Sequence, residues 1–209
     1  MPQISFKASF VNTANIQQLQ QDGYKSCNAA FVEMHPNSKN DISTLKCISN
    51  TWGQESYASS IYNAVLGDSQ FDDLIMEKPL DRKFFVITSQ KKSFEKINPE
   101  NVLGMVHVNN YPNFNSIEFL QTNPEYIIPV KKESFMEKCL NKIFKIQKPI
   151  YKQPKYKHIG SGILDSLKKL YSGKPMTLLS VPEAKKFYKK NGFVREIFFN
   201  PYGLIWKNK

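Results

Sequence analysis

The stretch Pro154-Lys155-Tyr156-Lys157-His158-Ile159-Gly160-Ser161-Gly162-Ile163-Leu164 sets a basic, glycine-bearing turn against the start of an amphipathic helix. Beyond Gly162, the residues Ile163, Leu164, Leu167, Leu170 and Tyr171 recur at helical spacing, and Gly173 stops the pattern. The first turn of a helix has N–H groups without carbonyl partners and a partial positive charge, so it can hold a phosphate. Glycines at 160 and 162 let an anion reach the main chain. A Walker-type loop is excluded because no Gly-Lys-Ser/Thr follows. Downstream, Lys174 to Ser180 reads as a buried strand. A short helix follows, entered at Pro182 and closed by Asn191-Gly192.

Working back from this stretch, Lys83 to Thr88, Val102 to Val108 and Ser116 to Thr122 read as three strands. In the last of these, strict alternation puts Ile117, Phe119 and Gln121 on one face and Glu118, Leu120 and Thr122 on the other. Two helical patterns precede them, one from about Asp41 through Ile42, Leu45, Ile48 and Trp52, the other through Ile61, Tyr62, Val65 and Leu66 to a break at Gly67. Near the N-terminus, Ile4, Phe6, Ala8 and Phe10 alternate as in a half-buried strand. Asn12 or Thr13 then caps a predicted helix carrying Ile16, Leu19, Tyr24, Cys27, Phe31 and Met34. A β-rich tail ends at Trp206.

With 209 residues and 41% hydrophobic content, the chain can bury a core. Its net charge of +11 favours an acidic partner: nucleotide-like phosphates, nucleic acid or an anionic surface. Cys27, Cys47 and Cys139 lack a Cys-x-x-Cys pair, and His35, His107 and His158 are dispersed, so neither a disulfide framework nor a metal site is expected. Without a signal-peptide profile or an apolar run of about 20 residues, the expectation is a soluble, cytoplasmic protein with no membrane partner.

Two motifs together carry a family resemblance. Lys157 to Gly162, and Ala184-Lys185-Lys186-Phe187-Tyr188-Lys189-Lys190-Asn191-Gly192-Phe193, resemble the Arg/Gln-x-x-Gly-x-Gly/Ala turn and the Ala-x-x-Phe-Tyr-x-x-x-Gly-Phe helix of the GCN5-related N-acetyltransferase (GNAT) family. The resemblance implies a mixed α/β (α+β) acyl-CoA N-acyltransferase fold. Its central, mostly antiparallel sheet is splayed between strands 4 and 5 and flanked by helices on both faces. Residues 1–209 would form one domain, with an insertion at about 127–153 between strand 4 and the CoA-binding helix. The segment Thr122-Asn123-Pro124-Glu125-Tyr126 is echoed by Lys152-Gln153-Pro154-Lys155-Tyr156 on the two sides of that insertion.

The activity implied is transfer of an acetyl group from acetyl-CoA, the co-substrate, to a primary amine on a small molecule or protein. Lys157, His158, Ile159, Gly160, Ser161 and Gly162 would bind the pyrophosphate, with Lys157 standing where the family has Arg or Gln and lacking their planar fork. Main-chain groups of Leu120, Gln121 and Thr122 would pair with the pantetheine amides. Tyr188, which also contacts the cofactor, is the candidate general acid, because a phenol is protonated at neutral pH; its competing role is packing. Glu118 is the candidate base, with His107 or an ordered water as alternatives. An Asn contact common in the family is missing at Val181-Pro182-Glu183-Ala184, and Ser180 is a candidate substitute.

Trp52, Tyr57, Tyr62 and Tyr111 are candidate acceptor-pocket residues. The nine lysines between 131 and 157 suit either a solvated helix or an electropositive lid. Two alternatives stand beside the enzyme: a non-catalytic acyl-CoA binder of the same fold and, last, a nucleic-acid-binding protein using those lysines with Tyr151 and Tyr156. Acceptor identity and oligomeric state are not encoded in any motif.

Overall fold

The computed structural model describes residues 7–53, 56–67, 79–127, 153–195 and 203–207. The chain opens with a β-hairpin, β1 (Ser9–Gln20) and β2 (Gly23–Met34), paired antiparallel from Ser9 with Glu33 to Gln20 with Gly23. This replaces the helix expected from Asn12 or Thr13 to Met34. Ala14 and Ile16 are buried at the period of a strand, and Gly23 turns the chain at φ 109°, a conformation that a side chain at Cβ disfavours. Residues 1–6, including the expected strand positions Ile4 and Phe6, lie outside the described residues.

Helices α1 (Lys39–Trp52) and α2 (Tyr57–Leu66) follow. Ser38 caps α1 by accepting the Asp41 N–H on Oγ, while the buried Asp41 carboxylate accepts the His35 N–H at 2.9 Å. Gly67 ends α2 in the left-handed region. Then come β3 (Asp81–Thr88), β4 (Val102–Asn110) and β5 (Asn115–Thr122). The two-residue β6 (Tyr156–Lys157) leads into α3 (Ile159–Leu170), β7 (Met176–Leu179), α4 (Lys185–Lys190), β8 (Val194–Arg195) and β9 (Gly203–Trp206).

Among the described residues nine strands form one sheet in the order β6-β1-β2-β3-β4-β5-β7-β9-β8, antiparallel throughout except for β5 with β7. Alternation along β2, β3 and β4 supplies two cores. Phe31, Phe85, Ile87, Val106 and Val108 pack toward α3, with Ile163, Leu164 and Leu167. Ala30, Val32, Met34, Phe84, Val86 and Met105 pack toward α1 and α2, with Leu45, Ile48 and Ile61. β4 is buried along nearly all of its length because both faces are covered.

The fold is therefore mixed α/β, a mostly antiparallel sheet with helices on both faces. The splay expected between strands 4 and 5 falls between β5 and β7 in observed numbering, because the hairpin and β6 each add a strand. The 127–153 insertion lies, apart from its two ends, outside the described residues. At those ends, the Tyr126 and Tyr156 rings of the two echoed segments meet edge to face, with centroids 5.2 Å apart.

Candidate active site

β5 and β7 pair in parallel over three positions only, Asn115 with Met176, Ser116 with Thr177 and Ile117 with Leu178. Beyond Ile117 the strands share no register, and a wedge opens. The edge of β5 facing it follows from the ladder on the other side. Asn123 N–H donates to Leu103 O at 2.8 Å, and Thr122 lies opposite Gly104. Antiparallel alternation then directs the main-chain groups of Gln121 toward β4 and those of Leu120 and Thr122 into the wedge. The Gln121 side chain is also engaged, since its Oε1 accepts the Ala58 N–H at the start of α2, at 2.8 Å.

Side-chain directions along β5 depend on a β-bulge. Phe119 opposes His107 and Ile117 opposes Val108, leaving Glu118 as the extra residue. The bulge reverses the alternation expected from Ile117 to Thr122. Ile117 and Leu120 both pack on the α3 side, whereas Phe119 packs on the α2 side. The Thr122 methyl comes to the start of α3, where Cγ2 lies 3.7 Å from the position a Cβ on Gly160 would take.

α3 starts at Ile159, four residues before Ile163, where the expected helical spacing begins. His158 is its N-cap in the left-handed region (φ 62°), and the internal ladder begins with Gly162 N–H donating to His158 O at 2.9 Å. The amides of Ile159, Gly160 and Ser161 precede that ladder and form the donor end of the helix dipole. The two glycines differ in role. Gly160 lines a cleft, and a Cβ there would stand 2.9 Å from Phe187 Cζ. Gly162 faces β1, where a Cβ would stand 3.1 Å from Ile16 Cγ2 and 3.2 Å from the Asn15 carbonyl oxygen. Close packing thus accounts for Gly162, whose N–H is already used. Lys157 sits on the edge strand β6, its Nζ 3.8 Å from the centroid of the Tyr24 ring.

Two clefts meet in the wedge. The first, of about 610 Å³, runs from Gly160 and Thr122 past Ile127 and Phe187 to Leu120 and Tyr188. The second, of about 490 Å³, holds Glu118, Tyr111, Phe114 and Leu179. Tyr57, Leu120, Ala184 and Tyr188 line both. Of the nine large hydrophobic residues left exposed among the described residues, Tyr57, Ile127, Leu179 and Val181 line these clefts, so the wedge gathers four of them in one place.

Tyr188 stands at the junction. It packs edge to face on Phe187 and Phe193, with centroids 5.0 and 5.9 Å away. Burial, reinforced by neighbouring Tyr57, pushes its phenol up to about 12. Glu118 is half-buried in the second cleft. His107 is buried in an aromatic stack instead, 4.7 Å from the Phe84 ring centroid on the α1–α2 side, and lines neither cleft. Trp52 and Tyr62 also belong to that core, whereas Tyr57 and Tyr111 line the second cleft. Ser180 is buried and donates to its neighbour's carbonyl, Val181 O. Of the lysines from 131 to 157, those before Lys155 lie outside the described residues. Among the described residues no group of three His, Cys, Asp or Glu could hold a metal, and no helix is long and apolar enough to cross a membrane.

Sequence reasoning missed the bulge at Glu118 and the Gln121–Ala58 clamp, neither of which has a local signature. No family model and no curated protein matches the sequence. Among solved structures, the chain is similar to Tetrahymena GCN5, with TM-score 0.45 and 10% identity over 93% of this chain and 96% of that one. It is similar to the PaiA N-acetyltransferase of Thermoplasma acidophilum in complex with coenzyme A, with TM-score 0.37 and 15% identity over 84% and 94%. A third is Escherichia coli ElaA, with TM-score 0.40 and 13% identity over 85% and 99%. At such identities no residue role transfers, and the chemistry rests on this chain's own geometry.

Proposed function

We propose that this chain is an acyl-CoA-dependent N-acyltransferase of the GNAT kind, carrying acetyl from acetyl-CoA to a primary amine. The observation that carries the reading is the parting of β5 from β7. It leaves outward N–H and C=O groups at Leu120 and Thr122 beside the unladdered amides of α3, with Tyr188 where two clefts join. The site fits such a co-substrate. An exposed strand edge pairs with an extended diamide as it would with another strand, and a helix start takes a diphosphate. The space a side chain at Gly160 would fill lies between these two features.

Acetyl-CoA supplies an acyl carbon activated as a thioester. The wedge would hold that group with Leu120 and Thr122, while Ile159, Gly160 and Ser161 bind phosphate oxygens through their N–H groups. Gln121 contributes by anchoring α2 to the wall, since its main chain belongs to the β4 ladder. Gly162 holds α3 against β1, and Lys157 and His158 set the entry to the helix. Glu118 accepts the proton of the incoming ammonium, and Tyr188 gives its phenolic proton to the departing thiolate. The phenol, raised to about 12 by burial, holds its proton across the neutral range and so has one to give, although burial makes it a weaker acid than a free tyrosine.

The test combines binding with turnover. Acetyl-CoA at about 100 times its Kd should stabilise the protein by about 2.7 kcal/mol, a Tm rise of about 5–10 °C for a chain of this size. Gly160→Asp should abolish the rise. Tyr188→Phe should keep it while slowing thiol release by about a hundredfold or more. If Tyr188→Phe leaves acceptor-dependent turnover intact, the phenol is not the acid. If acetyl-CoA binds without turnover on any amine, the protein is a binder rather than an enzyme. No Tm rise at saturation rejects the proposal.

A further inference from the structure

We propose that the acceptor taken by the second cleft is a mono-amine on an aromatic or bulky apolar body, an arylalkylamine rather than a polyamine, with Glu118 as counter-ion to its ammonium. This rests on the acyl-transfer reading and adds to it the class of substrate. Glu118 is the single acidic side chain among the described residues lining the 490 Å³ cleft. No described residue forms a salt bridge with it, it stands at the bulge of β5, and two ring pairs share its cleft. Tyr111 and Phe114 stack with centroids 4.6 Å apart and planes at 17°, and Tyr57 meets Phe119 at 5.7 Å. On the facing side, Leu179 and Val181 are 71% and 46% exposed, which places apolar surface where a guest would cover it.

Such a lining selects by what it leaves unpaired. One ammonium finds Glu118 and the ring faces of Tyr57 and Tyr188. A flat apolar body finds the Phe114 ring, backed by the buried Tyr111, and the two exposed aliphatic side chains. A second or third ammonium, as on a polyamine, meets no carboxylate among these residues. Beside the lining stands a further positive charge, Lys174, whose Nζ donates to Tyr111 O at 3.2 Å. The chain's net charge of +11 repels polycations further.

The experiment is calorimetry of 2-phenylethylamine, n-butylamine and spermidine against the full chain with and without saturating CoA, beside thiol release from acetyl-CoA with each amine. We expect 2-phenylethylamine to bind, and its kcat/KM to exceed that of the other two by tenfold or more. Glu118→Gln should weaken amine binding about tenfold, the scale of one charged hydrogen bond in a partly open site, and lower kcat by about a hundredfold because the same carboxylate takes the ammonium proton. It should leave the acetyl-CoA Tm rise unchanged. Leu179→Ser, at an exposed position where folding is not at stake, should weaken 2-phenylethylamine several-fold and n-butylamine less. Spermidine binding more tightly than 2-phenylethylamine, or Glu118→Gln binding 2-phenylethylamine like wild type, overturns the assignment. Binding of 2-phenylethylamine without thiol release from any amine upholds the cleft assignment and defeats acyl transfer. Thiol release with polyamines alone does the reverse. Neither binding nor release rejects both.

Discussion

Replacing each glycine at the start of α3 by alanine separates packing from binding at two positions one residue apart. At Gly162 the added Cβ would press on the Asn15 carbonyl oxygen at 3.2 Å and Ile16 Cγ2 at 3.1 Å. Asn15 is paired with Asn28 in the middle of the hairpin, so its backbone cannot swing aside. Overpacking of a methyl into a closed site costs about 1–3 kcal/mol, and the better helix propensity of alanine returns at most about 1 kcal/mol. The net loss is about 1–2 kcal/mol, a Tm lower by about 2–8 °C for a chain of this length. At Gly160 the methyl meets the far edge of the Phe187 ring, 2.9 Å away, in a side chain that borders open cleft. That ring can turn, so stability should stay within about 0.5 kcal/mol of wild type. The cleft narrows instead. Thermal melts of both variants, with and without acetyl-CoA, read the two effects together. Gly162→Ala should melt lower and keep the ligand-induced rise, and Gly160→Ala should melt near wild type and lose most of it. The opposite pattern, an unshifted Gly162→Ala that no longer responds to acetyl-CoA, would refute the division of labour.

Three further outcomes follow from other parts of the structure. Thr122→Pro removes an N–H that faces the wedge and should fold while losing acetyl-CoA affinity, whereas Gln121→Pro removes a donor from the β4 ladder and should fail to fold; circular dichroism with ligand titration distinguishes them. Tyr188 and Tyr171 are both raised to about 12 from 10.0. The unfolded chain therefore loses these protons first, and the stabilisation, whole below pH 10, falls as pH rises toward 12, by about 2–3 kcal/mol per phenol. In urea titrations, Tyr188→Phe should flatten that alkaline decline by one phenol's share; an unchanged slope contradicts the burial assigned to Tyr188. Ser38→Ala deletes the cap on α1 and should cost about 1 kcal/mol in the same titration, with no effect on ligand binding.

How far the chain could be read in advance depended on whether the deciding contact was local. α1, α2 and α3 carry their own apolar stripes and stop signals, and β3, β4 and β5 their own runs, so each was legible. The hairpin was not. Ile16, Leu19, Tyr24, Cys27, Phe31 and Met34 fall at intervals of three to five residues, which imitate a helix face, while the alternation beneath them uses the small Ala14. Asp22-Gly23 was the available cue, since such a pair between strand-like runs marks a hairpin. In the site, the helix-start amides and Tyr188 could be named from the motif. The bulge at Glu118 could not, because an extra residue in one strand is defined only by the strand opposite. Gly160 and Gly162 look alike in sequence, and only Phe187 and the Asn15 carbonyl tell them apart.

Backbone amide signals in a titration with acetyl-CoA, followed by two-dimensional NMR and hydrogen exchange, put the wedge to the test at the atoms that define it. Leu120, Thr122, Ile159, Gly160 and Ser161 should shift and exchange more slowly, while Gln121 and Gly162, whose N–H groups already have partners, change least. Saturation with those five amides unmoved, or with the changes gathered on the α1–α2 side of the sheet, would contradict the placement of the co-substrate between β5 and β7.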